Sequence, residues 1–122
     1  MALVLLVDDN RDLRRSVHRF LAVSGHDVLE AGDGDEALDL VRQHHPDLVI
    51  TDVIMPKKDG IETILEIRRE RLPVKILVMS GSDPVGAHFY LAAAAKLGAD
   101  AVMRKPLHVS EFQAVIDRLL AN

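Results

Sequence analysis

Three aspartates in this sequence close apolar runs. Asp8 and Asp9 end LVLLVDDN, and Asp52 ends LVITD. The runs over 3–7 and 48–51 are short and continuous, as strands buried on both faces should be. Parallel strands bring their carboxyl ends to one edge of the sheet, and in open α/β sheets that edge binds ligands. If the first and third strands are neighbours, the three carboxylates converge. Close like charges repel and raise one another's pKa unless a cation sits among them. Oxygen-only donors with no His or Cys nearby suit a hard ion, most naturally Mg²⁺. Two further strand ends belong to the same edge. Ser80 closes VKILVMS, and Arg104-Lys105-Pro106 closes AVMR. A hydroxyl and an ammonium there could hydrogen-bond or neutralise an anion attached to a carboxylate. Plainer roles stay open: Asp8 or Asp9 as a helix cap, Ser80 as a turn residue, Lys105 as a solvated lysine. Capping accounts less well for Asp52, because the next helix starts only near Gly60.

The elements that must position these residues alternate along the chain. After the first strand, Leu13, Val17, Phe20 and Leu21 recur at helical spacing, and Gly25 ends that helix. HDVLEA is a short second strand. Asp33 and Glu36 form a capping box for a helix carrying Ala37, Leu38 and Val41, which His45 and Pro46 stop. LVIT is the third strand. Met55 and Pro56 shape the loop after Asp52, and Asp59-Gly60 turns into a helix with Ile61, Ile64, Leu65 and Arg68 on one face. Pro73 precedes the fourth strand. A loop, GSDPVG, leads to an alanine-rich helix ending at Leu97-Gly98, and AVMR is the fifth strand. The last helix has a Ser110/Gln113 capping box and the stripe Phe112, Val115, Ile116, Leu119. Five βα units imply an α/β fold with helices on both faces of the sheet.

Composition narrows the function. The chain has 122 residues, enough for one compact domain with a sizeable core and not for two. Residues 1–122 therefore read as a single domain with no output module. No apolar run approaches the ~20 residues of a membrane helix, and residues 1–7 lack the basic leader of a signal peptide. Cysteine is absent, which excludes disulfides, thiolate metal sites and cysteine nucleophiles and is compatible with a cytoplasmic setting. A net charge of -4 and only 3% aromatic residues argue against direct nucleic-acid binding. The adjacent His44-His45 pair sits at a helix end, where favourable interaction with the helix dipole explains it.

LLVDDN (5–10), DLVITDVIMPKKDG (47–60), ILVMSG (76–81) and KLGADAVMRKP (96–106) together resemble the receiver domain of two-component response regulators, over essentially the whole chain. The resemblance implies a flavodoxin-like (βα)5 three-layer sandwich, a doubly wound five-stranded parallel sheet in order 2-1-3-4-5. It implies that Asp52 accepts a phosphoryl group from a sensor histidine kinase or histidine phosphotransfer protein. Asp9 would be a principal Mg²⁺ ligand, with Asp8 assisting through water and the Ile54 backbone carbonyl contributing; Mn²⁺ would substitute. Ser80 and Lys105 would bind the phosphoryl oxygens, and the Lys105-Pro106 bond would be cis. The protein would be a signalling switch that catalyses its own phosphorylation and dephosphorylation, acting on a downstream effector or a second copy through the fourth helix and fifth strand.

Two departures from the pattern stand out. Many receivers carry Tyr or Phe where this chain has Val102, so the coupling of ring and hydroxyl is in question. Phe89 or Tyr90 could supply a ring from the neighbouring helix. The segment between Ser80 and Lys105 is also longer than usual, and the extra residues are expected in GSDPVGAHF, where glycines and a proline make loop insertion inexpensive. The alternative function is a receiver-like binding module that works without phosphorylation. A haloacid-dehalogenase-type phosphatase lacks its second acid here, since Ile54 stands two residues after Asp52 and Asn10 two after Asp8. A dinucleotide site lacks its glycines after the first strand.

Overall fold

The computed structural model describes residues 2–53, 59–81 and 84–121, with side chains over 84–90 outside that description. Ten elements alternate: β1 (Leu3–Val7), α1 (Arg11–Val23), β2 (Asp27–Ala31), α2 (Gly34–His44), β3 (Leu48–Asp52), α3 (Gly60–Arg69), β4 (Lys75–Ser80), α4 (Pro84–Leu97), β5 (Ala101–Arg104) and α5 (Val109–Leu120). The five strands form one sheet in the order β2-β1-β3-β4-β5, with every neighbouring pair parallel. This is the flavodoxin-like (βα)5 arrangement that the sequence implied.

Successive strand residues point to opposite faces, and the two faces have separate cores. Leu5, Val7, Val49, Ile76 and Val78 pack with Ala37 and Leu38 of α2, Ile64 and Ile67 of α3, and Leu91 and Ala94 of α4. Val4, Leu6, Leu48, Ile50, Leu77 and Met79 pack with Val17 and Leu21 of α1 and Phe112, Ile116 and Leu119 of α5. Burial on both faces is why these strands read as unbroken apolar runs. No helix among the described residues is long and apolar enough to cross a membrane.

Local chemistry sets most helix ends. Asn10, rather than Asp8 or Asp9, caps α1, accepting from the Leu13 amide at 3.1 Å. Asp33 caps α2 through the Glu36 amide, while Glu36 reaches back to the Gly32 amide. His45 closes α2 in the left-handed region at φ 49°. Three expectations need correction. The α5 capping box is not formed: the helix begins at Val109 after His108, so Ser110 is already helical, and Gln113 instead donates to Asp117 at 2.7 Å. The connection after β4 is short, because α4 starts at Pro84, where proline's fixed φ suits a first helical turn. In α3 the buried side is Thr63, Ile64 and Ile67, with Leu65 and Arg68 only half-buried. The Arg68 guanidinium donates to the Gly98 and Val74 carbonyls and pairs with Asp100 at 2.9 Å, tying α3 to the far edge of the sheet.

The entry to α3 sits directly under the end of β3. The Gly60 amide donates to the Val53 carbonyl at 2.7 Å. A Cβ at Gly60 would lie 2.4 Å from the Asp52 carbonyl oxygen and 2.9 Å from Val53 Cα, both backbone atoms that cannot swing aside. Alanine normally favours a helix over glycine by about 1 kcal/mol, yet here the overlap outweighs that gain. Gly60→Ala is expected to destabilise the fold by about 1–3 kcal/mol in denaturant melts. Gly81→Ala, which adds a Cβ with nothing within 4 Å, is the control and should be close to neutral.

Candidate functional site

The register brings the predicted residues to the carboxyl edge. Val7 is paired with Thr51, so Asp8 and Asp52 are the next residues on adjacent strands. Ligand oxygens of Asp8, Asp9 and Asp52 all lie within 4.8 Å of one another. Asp8 is 1% exposed and Asp52 9%, whereas Asp9 faces solvent. From two strands away, Lys105 crosses the edge. Its ammonium donates to Asp52 Oδ2 at 2.8 Å and to Asp8 Oδ2 at 3.3 Å. The Lys105 amide donates to the Ser80 carbonyl at 2.8 Å, and the Lys105–Pro106 bond is cis. Ser80 is buried at the end of β4, paired with Arg104. Among the described residues, no hydrogen bond joins the Ser80 hydroxyl to Asp8, Asp52 or Lys105. Ile54 lies outside the described residues, as do Met55, Pro56 and the side chains of Phe89 and Tyr90.

Asp52 and Asp8 are held differently. Asp52 Oδ1 accepts from the Val53 amide at 2.7 Å. The Thr51 hydroxyl donates to the Asp52 carbonyl. Asp8 Oδ1 accepts from the Asn10 amide at 2.9 Å. Burial pushes the Asp8 carboxyl above the usual range, and the Asp52 charge adds to this; the Asn10 amide and the Lys105 ammonium oppose it without prevailing. For Lys105, burial disfavours the charge, but the hydrogen bond and attraction to Asp52, with a smaller share from Asp8, outweigh it and hold the ammonium above the ordinary lysine range.

A second layer of charged groups was not legible in the sequence. The Asp8 amide donates to the Ala31 carbonyl at 3.1 Å. The Asp8 carbonyl accepts from Arg14 Nη1 at 2.6 Å. The same guanidinium donates through Nε to Glu30 at 2.6 Å, and His18 Nδ1 meets the other Glu30 oxygen at 2.6 Å. Burial works against the Glu30 charge, but the hydrogen bonds from Arg14 and His18 hold its carboxyl below the usual range. Nothing in the spacing of Arg14 and Glu30 announces this contact; it exists because α1 packs on β2. The role of Asn10 had a signal, since asparagine is a favoured N-cap.

Residues 4–117 match the response regulator receiver domain. The chain belongs to that family. The response regulator MprA of Mycobacterium sp. (strain KMS) is 38% identical to this receiver over 117 residues, 96% of this chain and 50% of that protein. The alkaline phosphatase synthesis transcriptional regulatory protein PhoP of Bacillus subtilis (strain 168) is 36% identical, over 96% of this chain and 48% of its own. The receiver thus spans about half the length of the curated relatives it matches. A LuxR-family two-component response regulator from Aurantimonas sp. SI85-9A1 superposes with a TM-score of 0.88 at 31% identity, covering 99% of this chain and 86% of that one. The receiver domain of Francisella response regulator 1452 gives 0.89 at 25% identity, covering 99% and 98%. The receiver's clustered carboxylates are those of a domain that undergoes aspartate phosphorylation and dephosphorylation as a switch rather than a turnover enzyme, and they form a cluster typical of divalent-metal sites.

Two outcomes follow for the metal-free protein. Because the folded value of Asp8 is raised, the fold binds this proton more readily than the unfolded chain does. Ionised Asp8 therefore subtracts stability above its ordinary range, and the loss is recovered as pH falls. Asp8→Asn is expected to raise the melting temperature by about 2–5 °C at pH 7, an advantage that shrinks toward pH 4. Lys105 contributes with the opposite sign. Its stabilisation is complete below the ordinary lysine value and is lost as pH rises through the raised one. Lys105→Met leaves two carboxylates without their counter-charge and should cost about 1–3 kcal/mol in melts at neutral pH, with saturating Mg²⁺ recovering part of it.

Proposed function

We propose that this receiver accepts a phosphoryl group on Asp52 from the phosphohistidine of a sensor histidine kinase or a histidine phosphotransfer protein. The observation that carries this reading is the convergence of Asp8, Asp9 and Asp52 with the Lys105 ammonium 2.8 Å from Asp52. An ionised carboxylate is already a nucleophile and needs no general base. An Asp52 oxygen attacks phosphorus in line, the P–O bond forms, the P–N bond breaks, and the electron pair leaves with the imidazole nitrogen. Water attack on the acyl phosphate reverses the state, releasing inorganic phosphate and the carboxylate.

Mg²⁺ is the proposed ion, because the donor set is oxygen-only and crowded with negative charge. Asp9 and Asp52 would hold it with the Ile54 carbonyl, Asp8 would assist through water, and Mn²⁺ would substitute. When bound, it offsets repulsion between the carboxylates and the incoming phosphoryl group. Lys105 has a phosphoryl oxygen to bind once transfer has occurred, and Ser80, on the neighbouring strand end, supplies the hydroxyl. We place the domain in the cytoplasm as one unit over residues 1–122. Its output partner, an effector protein or a second copy, would meet α4 and β5, without direct contact to nucleic acid by this domain.

A second reading, a binding module independent of phosphorylation, rests on Val102. It is 37% exposed on β5 and offers no ring to follow a moving hydroxyl. One experiment separates the two. After incubation with Mg²⁺ and acetyl phosphate, mass mapping should find a hydroxylamine-labile gain of about 80 Da at Asp52, and Asp52→Asn should lose it. Amide exchange with beryllofluoride should change most at residues 81–91 and least in β5. Undiminished labelling in Asp52→Asn overturns the phosphoacceptor; no labelling with no change in exchange favours the binding module.

A further inference from the structure

Among the described residues, the turn that carries Asp8 and Asp9 is held by hydrogen bonds at Asp8 and Asn10 and not at Asp9. Asp8 N is bound to Ala31 of β2, and Asp8 Oδ1 to the Asn10 amide. Asn10 Oδ1 is bound to Leu13. Asp8 Oδ2 accepts from the Lys105 ammonium, and the Asp8 carbonyl is held by Arg14. That carbonyl belongs to the peptide joining Asp8 to Asp9, so its direction sets the plane from which the Asp9 side chain departs. Arg14 is itself fixed, with its side chain 17% exposed and its fork shared between the Asp8 carbonyl and Glu30.

We propose that Arg14 is a positioning residue of the cation site, orienting the Asp8–Asp9 peptide, and that Glu30 balances its charge. This rests on the metal reading above. Charge and geometry predict opposite signs for Arg14. A guanidinium beside a cation site repels the cation, so a purely electrostatic role means that removing it tightens binding. A positioning role means that removing it loosens binding, since partners that orient a ligand set typically change metal affinity 10–100-fold. Glu30 then has its own signature. Glu30→Gln keeps an acceptor for Arg14 but leaves the guanidinium uncompensated, so its effect should fade as salt screens the charge.

The test is Mg²⁺ titration by calorimetry of the unsubstituted chain and of Arg14→Met, Arg14→Lys and Glu30→Gln, with amide exchange as the check on folding. The Arg14→Met dissociation constant should rise about 10-fold, and Arg14→Lys, which retains one donor, should recover part of it. Glu30→Gln should bind more weakly at low salt, with the gap closing as salt is raised. In acetyl phosphate labelling, Arg14→Met should need more Mg²⁺ for half-maximal rate while the rate at saturation stays within about threefold of the unsubstituted chain. Equal or tighter Mg²⁺ binding by Arg14→Met overturns the proposal. If that variant does not fold, unchanged binding by both Arg14→Lys and Glu30→Gln overturns it equally. Absence of Mg²⁺ binding by the unsubstituted chain overturns the metal reading and this inference with it. Normal binding and the predicted shift without Asp52 labelling support the inference while removing the phosphoacceptor.

Discussion

A parallel sheet whose central strands end on carboxylates must find positive charge at that edge. Here the Lys105 ammonium supplies it, reaching Asp52 at 2.8 Å and Asp8 at 3.3 Å from the end of β5. Much of the architecture serves this contact. The order β2-β1-β3-β4-β5 puts Asp8 and Asp52 on adjacent strands and leaves Lys105 two strands from Asp52. A lysine stem spans that gap where a shorter cation would not. Burial raises the cost of the carboxylates' charge and strengthens their attraction for the ammonium together. The result is a cluster of carboxylates held close together, with negative charge left to satisfy.

That residual imbalance suits a switch. Among the described residues the site sets three carboxylates against one ammonium, and burial, with the Asp52 charge adding to it, raises the Asp8 pKa. On the function proposed above, a divalent cation would relieve the repulsion, and a phosphoryl group would offer Lys105 new oxygens. Each state would then satisfy a different subset of the same few side chains, as a small shift between pre-existing arrangements requires. The scaffold beneath is comparatively stiff. Two apolar cores clamp the sheet, and Gly60 lets α3 begin against the backbone of Asp52 without intervening side-chain volume.

Most of the fold could be read from residue order. The central strands β1, β3 and β4 are apolar runs because both their faces are covered, and the Asp33/Glu36 pair, the Asp-Gly turn and Gly25 mark helix ends by their own backbone chemistry. Where the reading failed, a local signal was ambiguous. Ser110 and Gln113 have capping-box spacing, but the helix starts before them. GSDPVG has loop composition, yet Pro84 is as well suited to a first helical turn as to a loop. Arg68 fell in an apolar stripe, while its head group found the carbonyls of Val74 and Gly98, which are contacts no periodicity records.

The sequence by itself determined that the carboxylates, the hydroxyl and the lysine stand at strand ends, because strand ends are written in the alternation of apolar runs and turn residues. It determined the family through motifs spread over nearly the whole chain. Only tertiary structure decided that Asp8 is the buried member of the acidic pair and Asp9 the exposed one. Only packing of α1 on β2 decided that Arg14 and Glu30 stand behind the Asp8 carbonyl. Burial and long-range hydrogen bonds depend on which elements lie side by side, and that proximity is created by folding rather than by spacing along the chain.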